Sequence, residues 1–196
     1  MFAGFEHAVW VGEPVEASWD DAGTSLTLTA QARTDWSNDS LSGNKIATSS
    51  ALTIERDGDF SLTARVEVGF VGTYDAGVLC LWHDENTWAK LCFEYSPQGQ
   101  PMVVSVVTRD YSDDVNSVVV AGNLVYLRVS RIGDAYVFHS SLDGARWDFV
   151  RLFRLGDERR ARVGLMAQAP IGDGCSATFT EVTISDWTPT DLRSGE

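Results

Sequence analysis

Six polar side chains, Lys90, Glu94, Arg128, Ser130, His139 and Gln168, fall on stretches whose pattern predicts β-strands. In the stretch 78–95 a turn over 83–87 lets Trp82 face Trp88. Successive side chains of a strand point to opposite sides. Val78, Cys80, Trp82, Trp88, Lys90, Cys92 and Glu94 therefore share one face, and Leu79, Leu81, Ala89, Leu91, Phe93 and Tyr95 share the other. The second set is a core face. The first is half apolar and half ionisable, which suits a lined groove. On a later strand Arg128 and Ser130 stand opposite Val125, Leu127 and Val129. His139 is harder to place, because Tyr136 and Phe138 are the bulkier side of its strand and a bulge would reverse it.

If these side chains converge, the chemistry is recognition of an oxygen-rich ligand. Arg128 and Lys90 would orient it, Glu94 and Gln168 would accept its hydroxyls, and Trp82 or Trp88 would stack on an apolar ring face, as a sugar offers. The plainer alternative is a network of ion pairs solvating one sheet face, each pair contributing only tenths of a kcal/mol. Catalytic residues are not indicated. Glycoside hydrolysis needs two carboxylates about 5–9 Å apart, and Glu94 has no evident partner unless Asp75 or Asp110 approaches from a loop. There is no G-x-S-x-G elbow, and His139 has no designated nucleophile. The run Asp110, Asp113, Asp114 and Asn116 reads as an acidic loop with four oxygen ligands at most, short of the six or more that calcium takes. The spacing of His7, His83 and His139 fits no zinc motif. No metal and no cofactor is expected.

The elements that must position these residues are all strands. Ser25–Ala30, Phe60–Phe70, Met102–Thr108, Leu124–Ile132, Ala135–Ser141, Ala161–Gln168 and Ala177–Trp187 are extended, and turn formers separate them: Asp57-Gly58-Asp59, Gly133-Asp134 and Asp143-Gly144. The region 33–43, RTDWSNDSLSG, reads as a surface loop. A short turn of helix is expected over 158–160. No apolar 3.6-residue period persists for three turns. A dozen or so short strands with regular turns predict an all-β antiparallel sandwich, one domain over residues 1–187 with a polar tail at 188–196 that should fray.

Composition narrows the class further. Of 196 residues, 44% are hydrophobic, enough for a core that stands without disulfides. Cys80, Cys92 and Cys175 are an odd number without metal spacing, so reduced, buried thiols in a cytoplasmic setting are expected. A Cys80–Cys92 bridge on one hairpin is the rival. The formal net charge of −13 disfavours nucleic acid and anionic membranes as partners, and no apolar run is long enough for a membrane-spanning helix.

Five segments carry a resemblance: Thr34–Trp36 (TDW), Trp88–Tyr95 (WAKLCFEY), Val104–Asp114 (VSVVTRDYSDD), Tyr126–Trp147 (YLRVSRIGDAYVFHSSLDGARW) and Val163–Gly174 (VGLMAQAPIGDG). In this order they resemble a domain family of unknown function whose best-known member is the yeast regulation-of-enolase protein. The match covers roughly residues 30–187, with Tyr74–Gly77 departing from the bulkier segment usual there. The resemblance implies a concanavalin A-like jelly roll, a two-sheet antiparallel sandwich with one concave face. It brings no settled activity. The leading expectation is non-catalytic binding of a carbohydrate or small polyhydroxylated ligand in the concave groove. One alternative is a protein-interaction module that regulates a metabolic enzyme. The other is a glycoside hydrolase-like enzyme with an unrecognised carboxylate pair.

Overall fold

The structure is a computed structural model that describes residues 1–156 and 160–196. Its strands, in chain order, are β1 (Val9–Val11), β2 (Ala17–Trp19), β3 (Ser25–Gln31), β4 (Trp36–Asn38), β5 (Lys45–Ala47), β6 (Ala51–Asp57), β7 (Phe60–Gly69) and β8 (Ala76–Asp84). They continue with β9 (Thr87–Tyr95), β10 (Pro101–Arg109), β11 (Tyr111–Val119), β12 (Leu124–Ile132), β13 (Ala135–Ser141), β14 (Asp148–Phe153), β15 (Arg160–Gln168) and β16 (Gly174–Ser185). Two seven-stranded antiparallel sheets result. Sheet A has the order β1-β6-β15-β8-β9-β10-β11, and sheet B has β14-β13-β12-β7-β16-β3-β2. β4 and β5 form a separate hairpin. The fold is the expected all-β two-sheet sandwich.

Alternation builds the core. Leu79, Leu81, Leu91 and Phe93 of sheet A pack with Leu62, Val66, Leu127, Val129 and Phe179 of sheet B, all fully buried. The hairpin parity holds, with Trp82 paired to Trp88, Cys80 to Lys90 and Ala76 to Glu94. A register shift between Trp82 and Asp84 tightens its turn to Glu85 and Asn86. Gly133 has φ +58 at the first position of a two-residue turn, as a type II′ hairpin requires.

A second apolar cluster lies on the outer face of sheet A. Val78, Cys80, Trp88, Cys92, Val104, Val106 and Met166 pack there beneath Trp36. Here the expected surface loop over 33–43 is corrected. Trp36 is buried, its Nε1 donates to the Ser49 carbonyl at 2.8 Å, and β4–β5 folds over the sheet. An exposed apolar face of that size would otherwise meet water. The acidic loop is corrected too, because Tyr111–Val119 is an edge strand paired with β10. Strand alternation sends Asp113 and Asp114 to opposite faces, so the four candidate calcium ligands do not converge. Among the described residues no group of three or more His, Cys, Asp or Glu side chains is placed to hold a metal ion.

The tail does not fray as expected. Residues 188–196 lie on the outer face of sheet B, where Leu192 and Gly195 offer carbonyls to His139 and Arg128. Arg160 opens β15, and the rest of the expected helical turn lies outside the described residues. Among the described residues no helix is long and apolar enough to cross a membrane.

Two outcomes test these placements. Gly144 has φ +75, and a Cβ there would meet the Tyr126 ring at 3.0 Å. Gly144→Val should therefore lower stability by about 1 kcal/mol or more; an unchanged Tm would refute the turn. Cys80, Cys92 and Cys175 are free and buried, and burial pushes the thiols of Cys80 and Cys175 up to about 12. Thiol titration should find three free cysteines that react far faster after unfolding than before.

Candidate functional site

The outer face of sheet A holds a cavity of about 300 Å³ beside the β4–β5 hairpin. Its floor is Val104 and Val106 of β10. Lys90 and Glu94 come from β9, Ser112, Asp114 and Asn116 from β11, and Gln168 from β15. Asp35, Trp36, Ser37 and Tyr74 complete the wall from loops and β4.

Lys90 organises the pocket. It is 3% exposed, and its ammonium donates to Asp35 Oδ1 at 2.9 Å, the Trp36 carbonyl at 2.7 Å and Gln168 Oε1 at 2.9 Å. Gln168 passes the link on, its Nε2 donating to the Tyr74 carbonyl at 3.2 Å. An ammonium has three protons, so Lys90 has none left for a ligand. Burial pulls its pKa down, but Asp35, aided by Cys92 and Glu94, more than offsets this, and the net shift is upward. Lys90 stays charged.

The acceptors face the cavity. Glu94 is pushed up to about 7, first by burial and then by Asp35 and Asp114, with Lys90 opposing. Asp114 is also raised, by burial first. Three carboxylates thus surround one cation, and the pocket carries excess negative charge even when Glu94 is protonated. It suits ligands that donate hydrogen bonds and repels anions.

The eight residues expected to share one groove divide between two surfaces. Lys90, Glu94 and Gln168 meet as described. Trp82 and Trp88 are on the same face but do not wall this cavity. Trp88 is fully buried, both indoles pack against Trp36 with centroids 4.6 and 5.9 Å away, and Trp82 borders a separate cleft with Glu55 and Arg160. Neither is a stacking platform here; Tyr74, 39% exposed, is the aromatic at the rim.

Arg128, Ser130 and His139 belong to sheet B and lie on its outer face, with the core between them and Lys90. His139 pairs directly with Arg128, and its strand keeps its alternation without the bulge that would have reversed it; the register shift opposite Phe138 and His139 lies in β14, where Val150 is the extra residue. Ser130 shares a 2.6 Å hydrogen bond with Ser61. His139 Nε2 lies 2.8 Å from the Leu192 carbonyl; a carbonyl only accepts, so Nε2 holds the proton. Burial lowers the His139 pKa. Ser130 and His139 are both fully buried, His139 beneath the tail, and neither reaches a ligand.

Reading the strands alone missed Asp35, Asp114, Asn116 and Tyr74 as partners of Lys90 and Glu94. The first sits in the TDW segment, whose lone Trp among turn formers was the available signal. Asp114 and Asn116 alternate with Asp113 and Val115, a strand pattern masked by the polarity of both faces of an edge strand.

Two antiparallel sheets over one core, with a polar pocket on an outer sheet face, define a jelly-roll-like sandwich of the concanavalin A-like class. The chain belongs to the family described as protein of unknown function DUF1349, whose model matches residues 10–187. It is similar to the crystal structure of a functionally unknown protein from Saccharomyces cerevisiae, with 25% identity, TM-score 0.85, and coverage of 92% of this chain and 97% of that one. It is also similar to a xylan beta-1,4-xylosidase from Bacillus halodurans C-125, with 14% identity and TM-score 0.67. There 92% of this chain covers 38% of the other. An alginate lyase from Klebsiella pneumoniae gives 13% identity, TM-score 0.55, and coverage of 89% and 85%. These last two likenesses concern the fold alone. No curated protein matches the chain.

The raised Glu94 makes a testable pH dependence. Between about pH 4.5 and 7 the folded protein holds a proton on Glu94 that the unfolded chain has released. Stability therefore falls as pH rises through this window and levels off above it. Glu94→Gln should leave Tm unchanged near pH 4, where both states are protonated, and raise it at pH 8. Equal Tm differences at the two pH values would remove the assignment.

Proposed function

We propose that this protein binds a carbohydrate or other small polyhydroxylated ligand, without catalysis, in the pocket on the outer face of sheet A. The observation that carries this reading is the state of Lys90. Its donors are all engaged within the protein, so the charged groups that remain for a ligand are acceptors, Glu94 and Asp114, with the Asn116 amide beside them. Hydroxyl groups donate to carboxylates in strong, short hydrogen bonds, and a sugar presents several from one ring. Tyr74 at the rim offers a face for its apolar side. The similar fold named for xylan sets which neutral glycans to try first.

The hydrolase reading has one observation of its own, a Glu94 that keeps its proton near neutral pH, as a general acid must. The register argues against it. Glu94 pairs with Met102 and Asp114 with Val106, two strands apart and four residues offset. At strand spacings of about 4.8 Å and rises of about 3.3 Å, their Cα atoms are roughly 16 Å apart. That is wide for carboxyl groups that must stand about 5–9 Å apart. Asp35 is tied to Lys90.

A glycan array at neutral pH, followed by calorimetry with the best neutral oligosaccharide, tests the proposal. Asp114→Ala should weaken binding by about tenfold, the loss of one charge-assisted hydrogen bond, and leave Tm near that of the parent. An array without hits, or a ligand indifferent to Asp114→Ala, Asn116→Ala and Glu94→Gln alike, would end it and favour the protein-interaction reading.

A further inference from the structure

The opposite sheet carries a second pocket of about 240 Å³. Arg128 is at its base, 9% exposed. Its guanidinium carbon lies over the Trp147 ring, 3.6 Å from the centroid, and 5.0 Å from the Trp187 centroid. Nε donates to Thr63 Oγ1 at 3.3 Å and Nη1 to the Gly195 carbonyl at 2.8 Å. Nη2 has no partner among the described residues.

The charge state of this group is unusual for the molecule. Arg56, Arg65, Arg109, Arg154 and Arg160 each stand near a carboxylate. Arg128 is more buried than any of them and stands near none among the described residues, in a chain with 28 acidic residues. Burial alone pulls its pKa down to about 10. An unpaired buried cation is costly, and the neutral partners it has here do not compensate its charge.

The remaining walls complement an anionic ring. Thr183 and Ser185 of β16 present exposed hydroxyls. They face outward because β16 shifts register between Thr180 and Thr183 at Glu181, a residue with φ +50; without that extra residue Val182 and Ile184 would occupy the outer face. Trp187 is 49% exposed, which leaves indole surface open for stacking. Glu181 lines the same pocket, so a dianion such as phosphate meets more repulsion there than a monoanion does. A single negative charge on a hydroxyl-bearing ring fits better.

We propose that this pocket is a second ligand site, for a carboxylate-bearing sugar whose carboxylate takes Arg128 and whose ring lies against Trp187 with its hydroxyls toward Thr183 and Ser185. It is independent of the acceptor-rich pocket on sheet A, which repels the same ligand.

Calorimetry and indole N–H resonances in the presence of D-glucuronate, D-glucose or acetate test this. Glucuronate should bind saturably and shift the Trp187 indole signal, while glucose and acetate should each bind at least about tenfold more weakly. Trp187→Ala should weaken glucuronate binding several-fold. Thr183→Asp, an exposed strand position where a new carboxylate repels the ligand, should abolish it, and so should Arg128→Gln where that variant folds. Glu94→Gln should leave it unaltered. The proposal is overturned by the absence of saturable glucuronate binding, by glucose binding equally well, or by Trp187→Ala and Thr183→Asp binding as the parent does. Loss of glucuronate binding in Glu94→Gln would also overturn it, by placing the ligand on sheet A; failure of neutral glycans to bind there leaves the present test intact.

Discussion

The ammonium of Lys90 is the contact on which the outer face of sheet A depends. That face is largely apolar, yet it carries a lysine among Val106, Trp88 and Cys92. A lone buried ammonium would be prohibitively costly. Asp35 and the Trp36 carbonyl, neighbours in the chain, remove that cost together with Gln168 from a distant strand. One charge therefore ties the β4–β5 hairpin to β9 and to β15. Trp36 then covers the apolar cluster, and the cavity opens where that cover ends. Breaking a buried pair of this kind costs about 3–5 kcal/mol, so the lysine is better understood as the scaffold of the pocket than as its ligand-contacting group.

That role changes the chemistry of the pocket. With the cation turned inward, the ligand meets carboxylates and an amide. Asp35 holds Lys90 charged against its burial, and the same burial raises Glu94 and Asp114, because all of them share one low-dielectric surface. Sheet B has the opposite arrangement. Its buried cation is covered by indoles and backbone carbonyls rather than carboxylates, and its face offers positive charge to a ligand. The sandwich thus separates two electrostatic environments by the thickness of its core, which sheet packing sets at about 10 Å.

Local periodicity made much of this legible. The alternation of 78–95 fixed which residues of β8 and β9 face the core, and that assignment holds residue by residue from Val78 to Glu94. The same is true of Val125, Leu127 and Val129. Parity, however, says which side of its own sheet a residue takes, and not which sheet its strand joins. Lys90 and Arg128 both oppose apolar neighbours, but β9 and β12 belong to different sheets, so equal parity put them on opposite outer surfaces. Long-range pairing such as β15 between β6 and β8 decides that, and it has no local signature.

The remaining misreadings share a physical cause. Residues 33–43, the edge strand β11 and the tail at 188–196 are polar segments without an apolar period, and composition alone marks such segments as solvated. The β4–β5 hairpin and the tail are instead held by a few specific bonds to a surface that the rest of the fold has built, Trp36 to Ser49, Asn38 to Ser112 and Gly195 to Arg128, while β11 is held by its ladder with β10. Such contacts need a single indole, amide or carbonyl in the right place, and their energy appears only once the sheet beneath them exists. Both pockets lie at the margins of these coverings, one beside the β4–β5 hairpin and one beside the tail. The sheets supply the rigid platform, and the polar segments laid across them determine how much of each outer face stays open to a ligand.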